Sequence, residues 1–303
     1  MSVSVLLPNV CSTIGEGPHW DEASQCLYFV DIYAKTVLCW DSKTDKVSKH
    51  ELGESSVGFI IPRQNGGAVV GVGRKICFLD WLTGKVELIH EVEKDGIGNR
   101  FNDGKCDPSG RLWAGTMGFE HSSGVPQLKM GKLFSLEEDL KLKTKLDEID
   151  ISNGLAWSAD HKTMYYIDSI PRKVFAFDFD LESGAISNRR TCVDFGNITD
   201  SDLGIPDGMC IDTEEKLWVA CFNGSKVVRF DPITGAQMRV IEFPATKITS
   251  CCFGGANFDE LFVTSCKYGV SEEEFMKEQP MAGSVFRVIG LGVKGLPAVK
   301  FSG

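Results

Sequence analysis

Residues 205–221, IPDGMCIDTEEKLWVAC, hold the unit from which the rest of the chain is built: a carboxylate before a glycine, a short apolar strand, an acidic or polar turn, and a second apolar strand. The same grammar returns as GEGPHWDEASQCLYFVD (residues 15–31), RFNDGKCDPSGRLWAGT (100–116), ISNGLAWSADHKTMYYID (151–168) and, more loosely, SCCFGGANFDELFVTS (250–265). A weaker copy, VGFIIPRQNGGAVVGV (57–72), fills the gap after the first and completes a set of six.

Between copies the pattern continues as two further strands. CWDSKTDK, FLDWLTGK and RFDPITGA place Asp and Gly or a polar equivalent at a hairpin turn. The copies are spaced by roughly 40 to 55 residues, the period of four-stranded propeller blades. Helical periodicity is confined to EEDLKLKTKLDEID and SEEEFMKEQP, each long enough for a turn or two. The expected fold is all-β, a six-bladed β-propeller of four-stranded blades forming one domain over residues 1–303. Val3, Val5 and Leu7 alternate with smaller or polar residues ahead of Pro8, which predicts an extra strand outside the repeats. Its expected place is the last sheet, where it closes the ring and removes an open edge.

With 43% hydrophobic and 24% charged residues the chain has the composition of a globular protein. A formal charge of −10 and a pI near 5.1 oppose contact with phosphate backbones or anionic lipid. Nucleic acid and membrane are therefore not expected partners. MSVSVLLPNV carries no basic segment or sustained apolar run, and no stretch reaches the length of a membrane span, so a cytoplasmic protein is expected. The eleven cysteines include no Cys-x-x-Cys pair and several lie within apolar strands, the usage of small buried hydrophobes rather than of a disulfide framework or thiolate zinc site.

Aligned on its glycine, each repeat presents one preceding residue: Glu16, Val57, Asp103, Asn153, Asp207 and, in the irregular sixth copy, Ser250 or Cys251. First strands line a propeller's channel, so the four oxygen-bearing side chains among these are expected to face a common point. Inward carboxylates repel and lose hydration unless a cation compensates them. Oxygen donors suit Ca2+, Mg2+ or Mn2+, with Zn2+ also possible. The competing explanation is local, since Asp-Gly and Asn-Gly are common turn dipeptides. NRFNDG also puts Arg100 and Asn102 beside Asp103, and Glu120 follows RLWAGTM at the start of a loop within reach of the mouth.

Other chemistries lack their signatures: no G-x-S-x-G elbow, Walker-type phosphate loop, G-x-G-x-x-G fingerprint or EF-hand loop occurs. His19, His50, His90, His121 and His161 show no ligand spacing, and Trp113 and Trp218 occupy strand positions that read as core.

At GEGPHW, NRFNDGK, DISNGLAWS and IPDGMCID the chain resembles the regucalcin and gluconolactonase family, also called the senescence-marker-protein family; ISNRR, KLWVACFNG, TSCCFGG and GLGVKG extend the resemblance over essentially its whole length. The resemblance implies one divalent cation held by Glu16, Asn153 and Asp207, and substrate contacts from Arg100, Asn102 and Glu120, with a secondary role for Asp103. It implies metal-dependent hydrolysis of sugar lactones, with Asp207 as general base, by a monomer or weak dimer. The family also contains a luciferin-regenerating branch and has organophosphatase relatives, and a calcium-binding regulatory role is the alternative of a different class. Gly118-Phe119 before Glu120 and the NITDSDLG segment before Ile205 depart from the family pattern in loops expected at the mouth.

Overall fold

The computed structural model describes residues 1–53, 55–94, 98–120, 125–198 and 203–303. It contains six antiparallel four-stranded sheets arranged as the blades of a propeller. Their first strands are Gly15–Asp21, Val57–Pro62, Arg100–Cys106, Ser152–Trp157, Ile205–Ile211 and Ile248–Gly254, and each packs beside the first strand of the next blade until the sixth meets the first. Strands buried along their length line the axis, whereas the outermost ones, such as Lys46–Glu51 and Gln237–Glu242, are largely exposed and polar. Burial therefore grades from continuous at the axis to one-sided at the rim, which is why the inner strands read as apolar runs and the outer ones as charged alternations.

The strand Ser2–Leu7 pairs antiparallel with Val285–Ile289, with Val5 opposite Phe286, and becomes the outer strand of the sixth blade. The ring is thus closed by the amino-terminal segment, as its alternation predicts. Of the two expected helical excursions, residues 272–277 form a short helix capped by Ser271. The other differs: Leu142–Ile149 is the outer strand of the third blade. Its Lys, Asp and Glu residues belong to an exposed rim strand rather than to a helix face.

Six apolar clusters lie between successive blades. Phe59, Phe101 and Phe134, for instance, join blades two and three, and full burial of a ring such as Phe59 stabilises by on the order of 2–3 kcal/mol. The expected core tryptophans are core: Trp113 and Trp218 are fully buried, and their indole N–H groups donate to Asp107 and Asp212 at 2.9 Å. Those carboxylates are themselves inaccessible and are neutralised by Arg111 and Arg229, each at 2.7 Å. Burying the charges is tolerable only because each is paired and hydrogen-bonded.

The Asp of the third-to-fourth-strand hairpins organises the turn: Asp80 accepts from the amides of Leu82 and Thr83, and Asp231 from that of Ile233. All eleven cysteines are unbridged, and ten are buried. No helix among the described residues is long and apolar enough to cross a membrane.

Candidate functional site

The glycine-led motif has a common structural cause. In every blade the pairing of first and second strands slips at this point, between Glu16 and His19, Val57 and Phe59, Phe101 and Asp103, Ser152 and Leu155, Pro206 and Met209, and Ile248 and Ser250. Such a bulge bends the strand and re-aims its side chains. The glycines follow because adjacent inner strands nearly touch: a Cβ on Gly154 would lie 2.7 Å from the Met209 nitrogen, and one on Gly208 would lie 2.0 Å from Ser250 Oγ.

Counted five residues back from Asp21, which ends its inner strand, and from Ser158, Asp212 and Asp107, which directly follow theirs, the equivalent positions are Glu16, Asn153, Asp207 and Asn102. The glycine-anchored alignment instead selects Asp103, because the third bulge falls one residue earlier than the motif suggests. Both Asn102 and Asp103 are buried there. The same count from Gly254 places Thr249, rather than Ser250 or Cys251, at the sixth position, where its hydroxyl donates to the Gly15 carbonyl at 2.6 Å.

Glu16 and Asp207, from blades one and five, are neighbouring buried carboxyl groups that act on each other electrostatically. Burial and the neighbouring Glu16 and Asp103 charges hold Asp207 well above the usual carboxylate range. Burial, with Asp103 adding to it, pushes Glu16 up to about 8 against the amide of Gly17, which donates to Glu16 Oε2 at 2.7 Å. Burial likewise raises Asp103, opposed by Lys105 and by the amide of Gly104.

Asn153 is fixed in orientation. Its Nδ2 donates to Ser169 Oγ at 2.8 Å, while the Ser169 hydroxyl spends its own proton on the Pro206 carbonyl at 2.7 Å. The serine can therefore only accept from Asn153, leaving Oδ1 as the acceptor end of the amide. Asn102 Nδ2 approaches that Oδ1 at 3.2 Å and also donates to the Ser152 carbonyl at 2.9 Å.

Arg100 donates from one terminal nitrogen to Asn102 Oδ1 at 2.7 Å and lies above the Tyr33 ring at 5.3 Å, with Glu120 Oε2 at 3.8 Å from its other nitrogen. Burial lowers the guanidinium to about 10, with Glu16 and Asp207 acting in opposition, so it remains a cation at neutral pH. Burial raises Glu120.

The seven residues expected from the sequence lie in one neighbourhood: Asn153 meets Asn102, Asn102 holds Arg100, Arg100 lies near Glu120, the Glu16 and Asp207 carboxyls act on Arg100, and buried Asp103 acts on both of those acids. Ser169 and Tyr33 belong to it as well and were not anticipated, because their roles depend on contacts between blades. Among the described residues no three His, Cys, Asp or Glu side chains converge as a metal shell. The donor set nevertheless fits a hard cation: two neighbouring acids whose carboxyls burial holds above the usual range, and an amide oxygen held by Ser169. Of the histidines, His19 is buried, His50 and His90 bond the carbonyls of Trp81 and Leu140, and His121 lies outside the described residues, as do 199–202 of the NITDSDLG segment.

Fold and site define a class, a six-bladed propeller with an acidic cluster buried in its channel. Residues 14–267 match the SMP-30/Gluconolactonase/LRE-like region, and the chain belongs to that family. It is 45% identical to human regucalcin over 303 residues, covering 100% of this chain and 99% of that protein. Among solved structures it resembles a luciferin-regenerating enzyme, with a TM-score of 0.91 at 38% identity and 99% of each chain covered. It also resembles regucalcin of Agrobacterium tumefaciens, described as a calcium-binding protein, with a TM-score of 0.89 at 25% identity over 99% of this chain and 97% of that one.

Proposed function

We propose that the protein is a divalent-cation-dependent hydrolase of sugar lactones, with D-glucono-1,5-lactone as its model substrate. The observation that carries this reading is the buried carboxyl pair of Glu16 and Asp207 beside an oriented Asn153 and a cationic Arg100. Family membership and the regucalcin relatives support it.

Glu16, Asn153 and Asp207 would hold the cation, with Ca2+, Zn2+, Mn2+ and Mg2+ as candidates. Once bound, such an ion supplies Lewis-acid polarisation of an ester carbonyl. Asp207 must lose its proton to work, and its role is then to take one from the attacking water as general base. Arg100 offers a fixed positive charge to the oxygen on which negative charge develops. Asn102 holds Arg100 in place through Oδ1 and uses both Nδ2 hydrogens inside the protein, so its remaining capacity is an Oδ1 lone pair suited to a sugar hydroxyl. Glu120, partly exposed, accepts from hydroxyls at the mouth.

The test is release of acid from D-glucono-1,5-lactone by metal-stripped protein, with each cation restored in turn. Turnover restored by at least one ion supports the assignment, and cation binding without turnover moves it to a calcium-binding regulatory role. The likeness to a luciferin-regenerating enzyme favours a second substrate class at the same residues, which a panel containing that enzyme's substrate separates.

A further inference from the structure

The far end of the channel holds a cavity of about 370 Å³ that none of the chemistry above uses. Five of the six inner strands reach it two to four residues beyond Glu16 and its equivalents, through Pro18 and His19, Lys105 and Cys106, Leu155 to Trp157, Cys210 and Ile211, and Cys252 and Phe253. At about 3.3 Å per residue this is roughly 7–13 Å along the strands from the level of Glu16 and Asp207. The carboxyl-terminal segment passes across the opening. It is anchored where Gly295 bridges Asp212 and where Phe301 bridges Arg63, and residues 296–299 between these anchors form one wall of the cavity, beside Pro108, Ser158, Ala159 and His161.

Charges around this end are already matched, with one exception. Asp21 pairs with Lys300 at 2.8 Å, Asp107 with Arg111 and Asp212 with Arg229 at 2.7 Å. Lys105 has no ion pair among the described residues; its ammonium donates to the Met209 carbonyl at 2.7 Å, leaving two N–H groups for another acceptor. The walls are otherwise mainly apolar, from Leu155, Trp157, Ile211 and Phe253. Two further lining residues, His19 and Trp157, are buried and keep Nε2 and Nε1 without a hydrogen-bond partner. Burial lowers His19 to about 3, so its ring is neutral at pH 7.

We infer that this cavity is a second ligand site, for a small amphipathic carboxylate whose apolar body lies against Leu155, Ile211 and Phe253 and whose anionic end meets Lys105. The volume lies within the range of small-molecule pockets, and a chiefly apolar lining with a few polar groups is their usual composition. A half-buried ammonium without an ion pair, at the wall of a chiefly apolar chamber, is the feature such a ligand satisfies, and a charge-assisted hydrogen bond gives it the orientation.

Octanoate is the probe, titrated calorimetrically into the full-length, metal-loaded protein, with octan-1-ol as its uncharged counterpart. Saturable octanoate binding is expected, weakened at least about tenfold in Lys105→Met while octanol binding changes little. Ala298→Trp, which fills the cavity from its carboxyl-terminal wall and leaves the inner strands untouched, is expected to abolish binding of both. Absence of saturable binding to the parent protein overturns the inference. So does octanoate affinity that neither substitution changes. Thermal melts of both variants confirm that they are folded, and Ala298→Trp decides the matter if Lys105→Met does not fold.

Discussion

Ser169 accepts the Asn153 amide at 2.8 Å and donates to the Pro206 carbonyl at 2.7 Å, so a single hydroxyl on blade four sets which end of Asn153 faces the channel and ties it to the strand that carries Asp207. Removing that hydroxyl frees the amide to rotate and leaves the pocket otherwise intact. Ser169→Ala is therefore expected to weaken divalent-cation binding by about 10- to 100-fold, the usual effect of losing a group that orients a ligand. Calorimetric titration of the stripped variant with calcium measures it. An unchanged dissociation constant removes Ser169 from the site.

Arg100 is held from two sides, by Asn102 and by the Tyr33 ring. Arg100→Met is expected to lower kcat/KM for the lactone by about 10²- to 10³-fold, the effect of deleting one oxyanion donor. Arg100→Lys should recover little, because a point charge lacks the planar fork that this cradle fits. Steady-state kinetics compare the two, and full activity in Arg100→Lys contradicts the assigned geometry.

His19 makes stability depend on pH. Its folded pKa, about 3, lies below the ordinary 6.5, so the unfolded chain binds more protons between those values. Its contribution is therefore fully present above pH 6.5 and is lost as pH falls toward 3. From pH 6.5 to 5 the loss is about 1.6 kcal/mol, since the full slope of about 1.36 kcal/mol per unit is reached only below pH 6.5, where the unfolded ring is mostly protonated. His19→Gln should flatten the urea-unfolding profile over this window by about that amount. Identical pH slopes for variant and parent contradict it.

The ring depends on the strand Ser2–Leu7 covering the edge of Val285–Ile289. Deleting residues 2–7 exposes an unpaired strand edge, for which the expected outcome is a lower melting temperature and concentration-dependent association seen by size-exclusion chromatography. A monomer with an unchanged melt assigns closure to other contacts.

What the sequence shows of this fold is what repeats in it. The inner strands are legible because close packing at the channel demands glycine after Val57, Asn153 and Asp207, and the hairpins because Asp80 and Asp231 must cap their turns. Asn153 and Asp207 are legible for the same reason, as they precede those glycines, and Glu16 because Gly17 after it takes a φ of +55°. Asn102 and Asp103 exchange places because a bulge shifts by one residue without a mark in the motif. Ser169 and Tyr33 are invisible to repeat alignment, since each acts across a blade boundary. Leu142–Ile149 misleads because a solvated rim strand carries charges at intervals that also suit a helix.

The central claim concerns Asp207, and the most direct measurement is turnover of D-glucono-1,5-lactone by Asp207→Asn beside the parent protein, each supplied with the same activating cation. The amide keeps the side chain's shape and removes the base. The expected result is a loss of at least about 10²-fold in kcat, the range of a missing general base, with a metal-free melting temperature close to the parent's, because the amide replaces a carboxyl that burial already keeps in its neutral form. Near-parental turnover in a folded Asp207→Asn protein would contradict the account.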